Sequence, residues 1–279
     1  PPPPPPSPPA PVQIASAPST PPPPPPGSSN DSDVSDNPIS TGQVREIPGS
    51  STYTGDGTAF SGAVDNSQAS KFACGLHYLD SWASKYFVAM NNAQWNDGLA
   101  CGRCVKARCV DPKCPVQGQE ILAQVVDKCP ECAEGDLDFS YPAYSLVTGS
   151  WPNRLKVSWE WADCSPFVSG DISIYPKDGG SQYWQAFFFA NARYPIAQAT
   201  INGEPLQRQT FGFWTHSGNV APGSTIQLVS ETGQTVSATL DGPFQQQNLG
   251  VQFAAVPTAD LVAGSWGSVG KAYAESGSG

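Results

Sequence analysis

Eight cysteines lie between Cys74 and Cys164, and none lies outside that interval. A segment so dense in cysteine is held together by disulfides or by metal, and either constrains long loops that a small core could not hold unaided. Cys101 with Cys104, and Cys129 with Cys132, each have the two-residue gap of half a zinc site. The stretch between those pairs is long for zinc and carries two further cysteines. Disulfides are therefore the reading for Cys74, Cys101, Cys104, Cys109, Cys114, Cys129, Cys132 and Cys164. Eight cysteines permit about a hundred pairings, and their spacing selects none. The even count, in a proline-rich chain with few lysines, points to an oxidising compartment and a secreted protein with no metal or cofactor.

The segments flanking the cysteines set the limits of the fold. Residues 1–50 hold two runs of six prolines and then a Gly, Ser, Asn and Asp stretch. Such a segment has too little apolar surface to offset its ordering entropy, so a disordered, polyproline-type tail is expected there. The opening proline also implies that a secretory leader has been removed or not included. Two domains are expected beyond it, 51–164 and 165–256, with a flexible tail at 257–279. The net charge of −10 argues against nucleic acid, which requires clustered Lys and Arg. No apolar run reaches the ~20 residues of a membrane span. With only 14% charged residues and 10% aromatic ones, the chain suits a neutral, hydroxyl-rich partner; a monomer is expected.

Both expected domains read as all-β. Tyr86–Met90, Arg103–Val110, Ile121–Val126 and Leu155–Trp161 are short strand candidates bounded by turn residues, and one helix is expected near Tyr141–Leu146, capped by Ser140. Few helices and many short strands suggest a barrel stapled by the cysteines. After Cys164 the alternation sharpens through Ile172 and Ile174, Tyr183–Ala190, Thr225–Val229 and Thr235–Leu240, as in a β-sandwich. A turn at residues 231–234 joins the last two strands.

Two features carry chemistry. Asp127 ends an apolar β-type run and Asp138 follows eleven residues later, with Cys129 and Cys132 in the turn between. Two carboxylates brought to one groove are the equipment for gripping or cutting a glycan. Downstream, the stretch from Tyr183 and Trp184 to Phe189 carries aromatics on both faces of one strand. One face enters a core. The other would be costly in water without a partner, and sugar rings offer flat C–H faces to it. Phe211, with Phe213 and Trp214 beside it, adds an aromatic on a neighbouring strand.

Taken together, these stretches resemble the expansin family. The run Asn96-Asp97-Gly98-Leu99-Ala100-Cys101-Gly102-Arg103-Cys104, the paired-acid segment, and Tyr183-Trp184 with the Arg193-Tyr194-Pro195 turn carry the likeness, over about residues 51–255. The resemblance implies a six-stranded double-psi β-barrel followed by an immunoglobulin-like β-sandwich. It implies a protein of the extracellular cell wall that binds cellulose, xyloglucan or other neutral β-glucans and loosens the wall without hydrolysis. It assigns Thr52, Asp127 and Asp138 to the groove, with Asp138 required for loosening, and Tyr183, Trp184 and Phe211 to the cellulose-binding face. Where microbial relatives carry a tyrosine two positions after the first groove acid, this chain has Cys129, which removes a stacking ring.

The first domain is also similar to family-45 glycoside hydrolases, inverting endo-β-1,4-glucanases. In that alternative Asp138 is the acid and Asp56 the base. The Tyr-Trp pair that precedes the base in those enzymes is missing, and Gly55 and Gly57 suggest that Asp56 sits in an exposed turn. A third alternative is a structural wall-binding protein whose proline tail serves as a stiff spacer.

Overall fold

The computed structural model describes residues 36–41 and 45–261. The expected tails at 1–35 and 262–279 lie outside the described residues. Strands dominate and helices are few. Seven strands make the first sheet: β1 (Arg45–Glu46), β2 (Tyr53–Ser61), β3 (Phe87–Asn91), β4 (Cys104–Cys109), β5 (Glu120–Cys129), β6 (Leu137–Ser140) and β7 (Leu155–Asp163). Their order is β1-β7-β2-β6-β3-β5-β4, and β4 also pairs with β7, so β2 to β7 close into a barrel. The pairs β2–β6 and β3–β5 are parallel, while β3–β6 and the pairs made by β7 are antiparallel.

Alternation fills the barrel. Val88, Met90, Val105, Ile121, Leu137, Phe139, Val157 and Trp159 point inward and are buried in one cluster. The helix Tyr141–Thr148 packs against strands of the barrel through buried Ala143, Tyr144 and Val147. Ser140 caps it by accepting from the Ala143 amide, and Pro142 sits in its first turn, where a missing N–H costs nothing. All eight cysteines are paired: Cys74–Cys101, Cys104–Cys164, Cys109–Cys114 and Cys129–Cys132. The four-cysteine zinc alternative is thereby removed.

One expectation about β2 fails. Gly55 and Gly57 do not make an exposed turn; both lie inside the strand and are buried. The reason for Gly55 is close backbone approach. A Cβ there would stand 2.3 Å from the Gly135 carbonyl carbon, because the loop before β6 lies directly on it. Gly55→Ala should therefore destabilise the protein by about 1–3 kcal/mol, the usual cost of overpacking. A thermal melt that matches wild type would contradict this packing.

The tail boundaries also need correction. Asn37 is buried, and its side chain pairs with both backbone groups of Leu122, donating to the carbonyl and accepting from the amide at 3.0 Å each. Arg45–Glu46 forms β1 on β7, and Ile47 is buried in the core of the second part of the chain. At the other end the Thr258 hydroxyl donates to Asp163 at 2.7 Å and Leu261 is buried. The apolar Ile47 and Leu261 recruit short pieces of both expected tails onto the fold.

The second part holds two antiparallel sheets. One orders Gln207–Arg208 (β12), Phe213–His216 (β13), Gln185–Ala190 (β9), Ser173–Pro176 (β8) and Gln247–Asn248 (β16). The other orders Glu204–Pro205 (β11), Ile196–Ile201 (β10), Thr225–Ser230 (β14) and Thr235–Thr239 (β15). Phe187, Phe189 and Trp214 of the first sheet and Ile201, Ile226 and Leu228 of the second share one buried cluster.

The two parts meet backbone to backbone. Gly212 has φ +74°, and a Cβ on it would stand 2.1 Å from the Cys74 carbonyl oxygen. Trp95 donates its indole N–H to the Thr210 carbonyl at 3.1 Å. The Arg103 guanidinium forms a two-pronged ion pair with Glu231 across the junction, one prong being Nη1 to Oε1 at 3.0 Å and the other Nη2 to Oε2.

Candidate functional site

Strand register brings the paired acids to one strip. Across β2, β6, β3 and β5, Thr58 lies opposite Asp138, Asp138 opposite Ala89, and Ala89 opposite Asp127. Residues directly opposite in a ladder point to the same face, so these four share a face. It is the outer face of the barrel, because Leu137 and Phe139 on either side of Asp138 are buried inside. A register shift in the β3–β5 ladder decides the outcome. Val88 faces Val125, yet Ala89 faces Asp127, so the ladder skips Val126. Without that bulge Asp127 would point away from the strip, and bulges of this kind re-aim functional side chains.

Each acid keeps one oxygen for its scaffold. Asp138 Oδ1 accepts from the Thr58 hydroxyl at 2.6 Å. Asp127 Oδ1 accepts from the amides of Ala73 at 2.8 Å and Lys128 at 2.9 Å. Among the described residues neither Oδ2 has a hydrogen-bond partner, so both remain available to a hydroxyl. Burial raises both carboxyls above the ordinary range. For Asp138 the charges of Glu131 and Asp127 push the same way, while Thr58 and Arg154 oppose. For Asp127 only its two amide donors oppose. The small methyl of Ala89 between them leaves the floor of the strip shallow.

Asp56 lies two residues before Thr58 and thus on the same face of β2, not in a turn. Its carboxylate is occupied by Lys156 at 2.5 Å and Arg154 at 3.1 Å. The Lys156 hydrogen bond, chiefly, holds it below the usual carboxylate range against its own desolvation. Thr52 is not part of the strip. It is exposed on the β4–β7 flank, in a cleft with Lys106, Arg108 and Glu120. At about 3.3 Å per residue it lies some 20 Å along the chain from Thr58. The threonine that touches Asp138 is Thr58, which period-two alternation from Asp56 would have found.

The aromatic surface is also rearranged. Tyr183 and Trp184 precede β9 in a turn closed by reciprocal Ser181–Trp184 backbone bonds of 2.7 and 3.2 Å, which leaves Tyr183 76% exposed at the tip. Phe187 and Phe189 enter the core. Phe188 points outward with its register partners Tyr175 and Phe213, but it is half-buried and in ring contact with His77 at 5.1 Å. The outer aromatic face is therefore partly spent on the junction. Phe211 remains half exposed, between Thr210, which bonds Trp95, and Gly212, which abuts Cys74. Ala73, adjacent to Cys74, is the residue that holds Asp127. The acid strip and the aromatic face are thus linked through the adjacent residues Ala73 and Cys74. The sequence reading missed Phe244, which is 54% exposed and lies against Gly180 at the base of the Tyr183 turn.

Among the described residues no cluster of His, Cys, Asp and Glu could hold a metal ion, and no helix is long and apolar enough to cross a membrane.

No family profile matches the chain. It is 23% identical over 167 residues to Expansin-like protein 1 of Dictyostelium discoideum, covering 56% of each chain. It is 28% identical over 203 residues to Expansin-YoaJ of Bacillus subtilis, covering 69% of this chain and 77% of that one. The alignments span about half the length of the Dictyostelium relatives. Among solved structures, the apo expansin of Clavibacter michiganensis superposes with a TM-score of 0.60 at 22% identity, over 74% of this chain and 100% of that one. A point mutant of that expansin, solved with cellohexaose, gives a TM-score of 0.58 at 21% identity with the same coverage. In its fold, in the relatives its sequence matches and in the order of its motifs, this chain is similar to the expansin family.

Proposed function

We propose that the protein is secreted, binds cellulose and related neutral β-glucans such as xyloglucan, and loosens a cell-wall network without cutting it. In this reading residues 51–164 are a double-psi β-barrel and residues 165–256 an immunoglobulin-like carbohydrate-binding sandwich, working as a monomer. The observation that carries it is the Thr58–Asp138–Ala89–Asp127 strip with its two unoccupied carboxylate oxygens. They can take glucan hydroxyls from beneath, while Tyr183, Trp184 and Phe211 stack on sugar faces. The cellohexaose bound by the Clavibacter expansin mutant supports the ligand class. Four disulfides fit an oxidising, extracellular location.

Geometry favours gripping over hydrolysis. Inversion requires an acid and a base on opposite faces of the sugar, roughly 6.5–9.5 Å apart. Asp138, Asp127 and Asp56 all approach from one face of one sheet. Asp56, the base of the family-45 alternative, is ion-paired on both oxygens and held at low basicity, far from a base poised near neutrality.

The test pairs extension of a heat-killed wall strip under constant load with reducing-sugar release from β-glucan. Extension without sugar is the expected result. Sugar release that disappears in both Asp56→Asn and Asp138→Asn would establish the glucanase, and cellulose binding with neither activity a structural wall protein. Trp184→Ala should weaken cellulose binding by about 1–3 kcal/mol, taking base stacking as the guide. Unchanged depletion isotherms for that variant would remove Trp184 from the binding face.

A further inference from the structure

One exposed aromatic contact is unused by the strip and the sandwich. Tyr141 and Trp151 stand with ring centroids 5.8 Å apart and planes tilted by 37°, and Trp151 is 40% exposed. Their chain positions tie both to the strip. Tyr141 is three residues beyond Asp138, directly after β6 ends. Trp151 is three residues before Arg154, which pairs with Asp56 and whose charge acts on Asp138.

Strand direction fixes where they lie. Because β2 and β6 are parallel and β7 runs against β2, the end of β6 and the start of β7 share one rim of the barrel. The two rings therefore reach each other across the end of β2. Because β3 runs against β6 and β5 runs with β3, the ends of β3 and β5 lie at the opposite rim. That is the rim where Trp95 bonds Thr210 of the sandwich part and Lys128 lies 5.9 Å over the Trp95 ring. The sandwich thus meets the barrel beyond Asp127, while Tyr141 and Trp151 stand beyond Thr58 at the diagonally opposite corner. The acid strip lies between them.

We infer that Tyr141 and Trp151 form a further stacking subsite, receiving a β-glucan chain at the end of the groove remote from the sandwich. This inference rests on the glucan-binding reading above. A chain seated there meets aromatic faces at both ends and carboxylates in the middle, so it is held taut over Asp138 instead of pivoting about one platform. Planar rings tolerate any neutral pyranose, so the subsite selects for chain length more than for sugar identity.

The test titrates the full chain, its Trp151→Ala and Trp151→Phe variants, with hydroxyethylcellulose as a soluble β-glucan probe. Trp151→Ala should bind roughly tenfold more weakly, as loss of one stacked ring implies. Trp151→Phe should stay near wild type, and the melting temperature of both should be unchanged, since the side chain lies on an exposed loop. If the wild-type chain binds and Trp151→Ala binds equally well, the subsite is overturned while the glucan reading stands. Equal weakening of both variants also overturns it, because a stacking role would survive in Phe. If the wild-type chain binds neither this probe nor cellulose, the glucan reading itself falls and the subsite with it.

Discussion

Asp138→Asn will abolish wall extension while leaving cellulose binding and the fold intact. The carboxylate is held from one side only, by the Thr58 hydroxyl at 2.6 Å, and its second oxygen has no partner among the described residues. Replacing it with an amide removes a charge-assisted acceptor, and hydrogen bonds to charged groups contribute about 1.5–3 kcal/mol, or roughly 10- to 100-fold in rate. Stability should move the other way. Burial, helped by Glu131 and Asp127, raises the folded carboxyl above its unfolded value. A raised carboxyl favours the folded state below the unfolded pKa, and that contribution is lost as pH rises through the folded pKa. The variant should therefore melt like wild type in acid and no lower, or higher, at neutral pH. Wild-type extension should be fullest above the folded pKa of Asp138, where the ionised carboxylate accepts from a glucan hydroxyl, and should decline as pH falls through it. Extension retained in Asp138→Asn, or a wild-type profile indifferent to pH, would remove Asp138 from the mechanism.

Much of this site was legible in the chain, and the failures have physical causes. Asp127 and Asp138 were found because acids interrupt apolar runs, and the run before Asp127 reads as a strand. Their convergence was not derivable from spacing, since it depends on the bulge at Val126 and on Ala89 serving both strands. Resemblance of its neighbours points to Thr52, whereas contact with Asp138 is set by the β2–β6 register, which chooses Thr58. Flanking glycines make Asp56 look like a turn residue. Glycine there answers to the Gly135 backbone pressing on the strand, a contact eighty residues away in sequence. The aromatic block was legible as a block. Which rings face solvent was decided by the junction, which takes Phe188 for His77 and leaves Tyr183, Trp184 and Phe211 outside. The ends were misjudged for a related reason. Composition over fifty residues masked single anchors such as Asn37 and Ile47, each buried by partners distant in sequence.

Arg103→Ala will cost about 3–5 kcal/mol of stability, the expected loss when one partner of a buried ion pair is removed. Arg103 and Glu231 are both nearly sealed from solvent, at 5% and 10% side-chain exposure, and the Arg103 Nε also donates to the Leu99 carbonyl at 2.7 Å. Desolvation outweighs the partner's charge for Glu231, whose carboxyl is raised despite the guanidinium beside it. The pair therefore contributes little beyond an apolar contact of equal shape, while either member left alone is costly. It follows that Arg103→Met with Glu231→Leu should recover most of the loss, short of full recovery because the Leu99 carbonyl stays unpaired. Differential scanning calorimetry separates the cases, and a double variant no more stable than the single would show that the pair is not the source of the loss. Loosening gives the second readout. Groove and aromatic face act on one glucan chain only if the junction holds them in register, since their joint affinity depends on geometry that permits both contacts at once. Arg103→Ala should then lose extension with Asp138 and Trp184 untouched, and the double variant should regain it, because what the wall requires from this ion pair is alignment and not charge.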